Sequence, residues 1–213
     1  MHKKAFTLIE VLIAITVFSV GVLAVLNLIM NNLWTLDKIQ TKITATLLAK
    51  EGIEIAYNIR DSNLQKWFAW DCILKTAEEI SASENLGADF DVCEAHFSSG
   101  FEDKVLQVGF DPKGYYFAHP VTIESGSFAE LFSGNRLSYF TQEINGQKLF
   151  RYGYSTTESW AETSFARYLL FTGLVENGKN LPTDKLLKIE SHVLYQKGWY
   201  HGDIVLESVM GNF

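Results

Sequence analysis

The chain is poor in the residues on which several classes of small protein depend. Its 213 residues include only three prolines and two cysteines, Cys72 and Cys93. Two cysteines are too few for a disulfide-rich scaffold or a four-cysteine zinc site. The 18 lysines and arginines are outnumbered by 25 aspartates and glutamates and form no basic block. Binding of nucleic acid through phosphate neutralisation is therefore not expected.

The sequence also lacks the common motifs of catalytic and metal sites. No two of its five histidines have metal-binding spacing, and no G-x-S-x-G nucleophile elbow occurs. Residues 173–179 fit G-x-x-x-x-G-K, but Asn180 stands where a phosphate-binding loop needs Ser or Thr. We interpret these residues as a turn, and His192 and His201 as solvated strand residues. We therefore predict no enzyme activity, no metal site and no cofactor.

What the chain has in abundance is apolar residues near its N-terminus. Residues 11–30 form an apolar run interrupted only by small or uncharged polar residues. A helix of about 20 residues covers the roughly 30 Å hydrocarbon core of a bilayer. Lys3 and Lys4 before the run, with Asp37 after it, predict a single-pass helix whose N-terminus is cytoplasmic. A secretory signal peptide is the alternative, but no A-x-A cleavage site follows the run.

Glu10 is unusual at the start of such a run. A charged side chain at the centre of a membrane helix costs about 2.5–3.5 kcal/mol on insertion scales, and less near its end. A helix that serves only as an anchor has no interaction that offsets this cost. A helix whose carboxylate pairs with a cation of a neighbouring helix recovers it through that ion pair. This position therefore favours a role for Glu10 in helix association.

Residues 4–14 read Lys-Ala-Phe-Thr-Leu-Ile-Glu-Val-Leu-Ile-Ala and resemble the signal of type IV prepilins, in which a short basic leader precedes a Phe-Thr-Leu-Ile-Glu core. The resemblance implies cleavage by prepilin peptidase between Ala5 and Phe6, and methylation of the new Phe6 amine. It also implies that Glu10 interacts with the Phe6 amine of an adjacent subunit. Ala5 replaces the glycine that the family usually has before the cut, and both residues are small.

The resemblance also implies partners and a location. The partners are other pilin subunits bound through the N-terminal helix, the prepilin peptidase and methylase, and an inner-membrane assembly platform. The subunit is stored in the bacterial inner membrane and then enters an extracellular or periplasmic filament. Diffuse matches at residues 165–169, 188–193 and 201–207 resemble minor pilins of the PilV type. The alternatives are a pseudopilin of a type II secretion or DNA-uptake system, and an anchored periplasmic enzyme or receptor.

The rest of the chain predicts an α+β, pilin-like fold. The helical period continues to Arg60, with an apolar stripe expected to pack on the following domain: Leu36, Ile39, Ile43 and Leu47, continued by Ile53, Ala56 and Ile59. From Lys104 onward, alternating segments separated by turn sequences predict an antiparallel β-sheet. The strongest hairpin signal is Asn145-Gly146, because a tight hairpin turn requires positive φ.

We accordingly divide the chain into four parts. They are a cleaved leader (residues 1–5), a transmembrane or filament-core helix (6–30), the amphipathic half of that helix (31–60) and a globular α+β pilin domain (61–213). In an exported domain, Cys72 and Cys93 either form a disulfide, worth about 3 kcal/mol in the chain-entropy model, or remain two thiols.

Overall fold

The computed structural model describes residues 7–65, 104–110, 116–121, 127–144, 147–154, 161–176, 179–180 and 186–211. Ala5, Phe6, Cys72 and Cys93 lie outside these ranges. The helices are α1 (Leu8–Gln65) and α2 (Phe128–Gly134). The strands are β1 (Lys104–Phe110), β2 (Tyr116–Val121), β3 (Arg136–Ile144), β4 (Gln147–Gly153), β5 (Ala161–Gly173), β6 (Val175–Glu176), β7 (Lys179–Asn180), β8 (Leu186–Lys197) and β9 (Tyr200–Gly211).

The long N-terminal helix is confirmed, and it ends at Gln65, a little beyond the predicted Arg60. No proline interrupts it, and Gly21 and Gly52 are its only glycines, so the backbone hydrogen bonds can continue through it. The chain divides into two compact units, Met1–Ile43 and Thr44–Phe213, and α1 contributes residues to both.

Seven strands of the second unit form one antiparallel sheet with the long strand β5 at its centre. One edge of β5 pairs with β8, and β8 pairs with β9. The other edge has two partners in succession, because the first half of β5 pairs with β3 and the second half pairs with β1. β4 lies outside β3, and β2 lies outside β1. The predicted α+β fold with an antiparallel sheet is thus confirmed.

The hairpins follow the turn signals closely. Ile144 of β3 pairs with Gln147 of β4, which confirms the hairpin predicted at Asn145-Gly146, although those two residues are outside the described ranges. β6 and β7 pair around residues 177–178, which confirms a turn in the G-x-x-x-x-G-K segment. The last turn is Gly198-Trp199, between the paired residues Lys197 and Tyr200. Gly198 has a φ of 61°, which glycine adopts without steric cost.

One face of the sheet, here called the inner face, packs on the part of α1 that belongs to the second unit. The predicted stripe is wrong in part, since Leu47 is 62% exposed and Leu36, Ile39 and Ile43 are also exposed. Ala56 and Ile59 are buried as predicted, and Ile53 is half-buried. Among the described side chains of α1 in this unit, four of the seven buried residues are alanine or glycine: Ala45, Leu48, Ala49, Gly52, Ile55, Ala56 and Ile59. Small side chains let the helix approach the sheet closely, and hydrophobicity alone does not reveal that preference.

The opposite, outer face carries a second, smaller core that the sequence did not predict. Phe132 of α2 packs there with Val105 of β1, Ala166 and Tyr168 of β5, and Leu194 of β8. At the start of α2 the backbone N–H of Ser127 donates to Oε2 of Glu130 over 2.7 Å. This is half of a capping box, which satisfies a backbone donor just before the helix. A helix of seven residues is too short to show a helical period in the sequence.

Candidate processing and assembly site

The structure places Glu10 in the first turn of α1. The carbonyl oxygen of Thr7 accepts hydrogen bonds from the backbone N–H groups of Glu10, over 3.0 Å, and Val11, over 3.3 Å. A carboxylate is favourable there because the helix dipole presents its positive end at the N-terminus. The Glu10 side chain is exposed. Because Ala5 and Phe6 are outside the described residues, their roles in cleavage and methylation remain predictions.

The apolar part of α1 is exposed throughout. Every side chain from Thr7 to Leu36 is exposed, and Leu8 and Phe18 remain 79% and 72% accessible. Within the described residues, α1 is the one helix that is long and apolar enough to cross a membrane. A continuous apolar surface of this length far exceeds the patches that soluble monomers expose. It therefore fits burial in lipid or against the helices of other subunits.

The hydroxyl groups of Thr16, Ser19 and Thr35 in this segment are satisfied by the helix itself. Thr16 Oγ1 donates to the carbonyl oxygen of Ile13 over 2.8 Å, and Ser19 Oγ donates to that of Ile15 over 2.7 Å. These donors can therefore enter hydrocarbon without losing a hydrogen bond. In the sequence, Glu10 is the only ionisable residue between Lys4 and Asp37. It is thus the one charge in the apolar segment that needs an external partner.

A second group of titratable side chains lies on the outer face of the sheet, far from α1 in the sequence. His192 Nδ1 is 3.1 Å from Asp203 Oδ2, and His192 Nε2 is 3.5 Å from Glu190 Oε2. The imidazole stacks on the ring of Tyr168, with 4.8 Å between the ring centroids. Lys188 Nζ lies 2.5 Å from Glu190 and 3.0 Å from Glu207. His192 is therefore half-buried and ion-paired, not the solvated strand residue that the sequence predicted.

This group resembles an ion-pair network more than a site for chemistry. In the part of the chain that the structure describes, no three His, Cys, Asp or Glu side chains are placed to hold a metal ion. His192 and His201 do not face each other, since they pair with Val205 and Gln196 respectively. His201 instead contacts the ring of Phe128, with centroids 4.9 Å apart.

The network predicts that stability falls as the pH rises. Burial alone lowers the pKa of His192, but the hydrogen bond and charge of Asp203 and the neighbouring Glu190 outweigh it, so the pKa is raised overall. A raised pKa means that protonation stabilises the folded state below about pH 6.5, and that this contribution is lost as the pH rises through the folded value. We expect the free energy of unfolding to decrease from about pH 6 to pH 8 in denaturant titrations. In His192→Gln the decrease should be smaller, and an identical slope would contradict the prediction.

Comparison with known proteins identifies only the N-terminal part of the chain. The family model of the prokaryotic N-terminal methylation motif matches residues 1–26, which include Ala5, Phe6 and Glu10. No curated protein and no solved structure is significantly similar to the chain. The motif covers the start of the exposed apolar helix, which continues into a helix-on-sheet domain. Together these findings support the interpretation of the chain as a type IV pilin-like prepilin, and they fit anchoring in the inner membrane by its N-terminal helix.

Proposed function

We propose that this chain is a minor pilin, a structural subunit of a type IV pilus that prepilin peptidase processes and that assembles through α1. The observation that carries the proposal is the isolated acid at the start of an exposed apolar helix, within a methylation motif. In this proposal, cleavage between Ala5 and Phe6 removes the basic leader but leaves the apolar helix on the mature subunit. The globular domain of residues 61–213 lies on the exported side of the membrane, because the basic leader orients the insertion of the helix before it is removed.

Assembly would exchange lipid contacts for contacts with other helices. Because both environments are apolar, the exposed segment of α1 loses little hydrophobic stabilisation when a subunit leaves the membrane. The Glu10 carboxylate would pair with the methylated Phe6 amine of an adjacent subunit. A misplaced subunit would leave a charge unpaired among apolar helices, which is strongly unfavourable, so this pair sets the register between neighbours.

The same helix and motif suit a pseudopilin of a type II secretion or DNA-uptake system. The diffuse resemblance to PilV-type sequences favours the pilus. Neighbouring genes distinguish the two functions, since secretion or competence genes beside this one would indicate a pseudopilin.

Mass spectrometry of the mature N-terminus tests the processing step. We expect the protein purified from cells with prepilin peptidase to begin at N-methylated Phe6, with residues 1–5 absent. The same gene expressed without the peptidase should yield a chain that keeps Lys3 and Lys4. A mature chain that retains its leader in the presence of active peptidase would contradict the proposal.

Replacement of Glu10 by alanine tests assembly. We expect Glu10→Ala to remain in the membrane, because the apolar segment is unchanged, but to be lost from sheared filaments by at least tenfold on immunoblots. Glu54→Gln is a matched control on the same helix. Among the described residues Glu54 pairs with Lys50 alone, 3.6 Å away, and such exposed pairs contribute about 0–1 kcal/mol. An anchored enzyme or receptor would instead tolerate both variants, and normal assembly of Glu10→Ala would refute the role of Glu10.

A further inference from the structure

The strand β9 forms a long edge of the sheet. Among the described residues it pairs with β8 alone, in an unbroken register from Lys197 opposite Tyr200 to Leu186 opposite Gly211. Natural edge strands are usually protected by charged side chains, especially lysine, or by proline, a bulge or short length. β9 has twelve residues with the sequence Tyr-His-Gly-Asp-Ile-Val-Leu-Glu-Ser-Val-Met-Gly, so it contains neither lysine nor proline, and its two charged residues are both acids. Its edge is therefore well suited to accept another strand.

The hairpin turn determines which backbone groups face this edge. In a two-residue turn the N–H of Tyr200 bonds back to the carbonyl of Lys197, so Tyr200 directs its backbone groups toward β8. Along an antiparallel pair such residues alternate with residues whose N–H and C=O point away. The groups that point away therefore belong to the odd-numbered residues of β9: His201, Asp203, Val205, Glu207, Val209 and Gly211.

Side chains of α1 close one end of the edge. The Tyr57 hydroxyl donates to the carbonyl oxygen of Val209 over 2.7 Å, and Arg60 Nη1 donates to that of Gly211 over 3.2 Å. Both acceptors are odd-numbered, as the alternation requires. The helix thus satisfies the last two outward carbonyls, whereas no described residue does so for His201, Asp203, Val205 or Glu207. The open edge is defined here as residues 201–207.

The two faces of β9 specify the chemistry of an added strand. On the inner face, the half-buried Ile204 and Leu206 pack on the core. Apolar side chains of an added strand would lie beside them and extend this apolar surface. On the outer face, Asp203 and Glu207 flank Val205, which is 41% exposed. Asp203 already pairs with His192, and Glu207 with Lys188. Even so, this face carries three acids, the third being Glu190, against one lysine and the histidines His192 and His201, so acids outnumber the permanent positive charge. Lysine or arginine opposite these acids would be favourable, as cross-strand pairs of opposite charge are.

We propose that the open edge of β9 binds an extended segment of another polypeptide with alternating apolar and basic residues, which joins the sheet as a further strand. Main-chain hydrogen bonds would supply affinity, and the alternating side chains would supply specificity. A second copy of β9 fits less well. An antiparallel pair of β9 strands centred on Val205 places Asp203 opposite Glu207 twice, and like charges in that position are destabilising. The proposal does not depend on assembly through α1.

Fluorescence anisotropy with the full chain in nonionic detergent micelles tests the proposal. The probes are fluorescein-labelled peptides of nine alternating residues, either lysine and valine or glutamate and valine. We expect the lysine peptide to bind at least tenfold more tightly than the glutamate peptide, and to weaken as salt is added. Equal affinity for the two peptides would overturn the charge preference and with it the proposal.

Substitution of Val205 separates strand addition from simple charge attraction. Val205→Pro removes an outward N–H without removing a bond to β8, and should lower the affinity for the lysine peptide at least tenfold. Val205→Thr keeps the N–H and the β propensity and should bind as the original chain does. A folded Val205→Pro variant that binds equally well would show that the peptide does not extend the sheet.

A modified peptide gives the same test without changing the protein. In the proposed pairing the lysines lie opposite Asp203 and Glu207, so their backbone N–H groups face β9. A lysine peptide that is N-methylated at its lysines loses these donors but keeps its charge, so we expect its binding to disappear. Unchanged binding would overturn the proposal, even if Val205→Pro failed to fold. A second copy of the chain is the competing occupant of the edge. If the full chain forms concentration-dependent dimers that Val205→Pro abolishes and that the lysine peptide does not dissociate, the edge binds a second copy and the proposal is overturned.

Discussion

Replacement of Arg167 by alanine should destabilise the Thr44–Phe213 unit by about 3–5 kcal/mol, because it leaves two buried carbonyl oxygens without their donors and a cavity where the side chain packed. Arg167 lies on β5 with no exposed surface. Its Nη1 donates to the carbonyl oxygen of Leu48 over 2.9 Å and lies 3.5 Å from Glu51 Oε2. Its Nη2 donates to the carbonyl oxygen of Val108 over 2.8 Å. The guanidinium therefore connects α1 to the sheet and to β1.

The position of Arg167 in the sheet explains why a charged residue is needed there. Residues 169–171 of β5 pair with β1, and residues 161–166 pair with β3. Arg167 lies between these two pairings, and its backbone N–H donates to the carbonyl of Asn135 over 2.9 Å. The carbonyl of Val108 consequently has no strand partner in β5, and the guanidinium supplies the missing donor. An unpaired carbonyl buried at this junction would be unfavourable.

Denaturant unfolding of the full chain in micelles, followed by tryptophan fluorescence, measures this effect. Arg167→Met retains much of the volume but none of the donors, so we expect a loss smaller than that of alanine but still above about 1 kcal/mol. Glu51→Gln removes only the ion pair between Glu51 and Arg167. Because the Glu51 side chain is 32% exposed, this variant should lose less than about 1 kcal/mol of stability. If Arg167→Ala unfolds at the same denaturant concentration as the original chain, the proposed role of the guanidinium is incorrect.

Replacement of Gly52 by leucine should have the next largest effect, a loss of about 3 kcal/mol. A Cβ atom at Gly52 would lie 2.9 Å from Ser191 Oγ and 3.1 Å from both Arg167 Cδ and Leu169 Cδ1. Leucine has a high helix propensity, so any loss of stability must come from overpacking, which typically costs 1–3 kcal/mol. Gly21→Leu is a matched control, since nothing lies within 4 Å of a Cβ at that helical position. It should leave the unfolding of the sheet domain unchanged.

A double-mutant cycle locates the clash at Gly52. Ser191 Oγ is buried and has no hydrogen-bond partner among the described residues, so Ser191→Ala should alter stability little. It also removes the atom nearest to the new Cβ. We therefore expect Gly52→Ala to be less destabilising in the Ser191→Ala background than alone, with a coupling energy of about 0.5 kcal/mol or more. Strictly additive effects would place the steric conflict elsewhere.

Local sequence patterns were sufficient to predict several elements of the fold. The start of the apolar helix, the hairpin at Asn145-Gly146 and the presence of alternating strands after Lys104 were all predicted, because each depends on residues close in the sequence. Asn145-Gly146 favours positive φ wherever it occurs, and residues 11–30 are apolar whatever covers them. The motif around Glu10 likewise lies within a few neighbouring positions.

Local sequence patterns did not predict which helix residues pack on the sheet, because side-chain size matters there as well as hydrophobicity. The predicted stripe with Leu47 is exposed, and Ala45, Ala49 and Gly52 face the sheet instead. The alternation of β5 does place Arg167 on the same face as Leu169 and Phe171, which was the available signal of a buried charge. Its partners could not be inferred, because Leu48 and Val108 are distant in the sequence.

By itself the sequence determined that this protein has a long apolar helix with one acid at its start, followed by antiparallel hairpins. These features arise from helical and strand periods and from turn residues, which act over a few positions of the chain. Only the tertiary structure decided which face of α1 meets the sheet, how β5 changes partner at Arg167, and that β9 lies at an edge. Those features depend on contacts between residues far apart, and such contacts are selected by the close packing and hydrogen bonding of the folded domain as a whole.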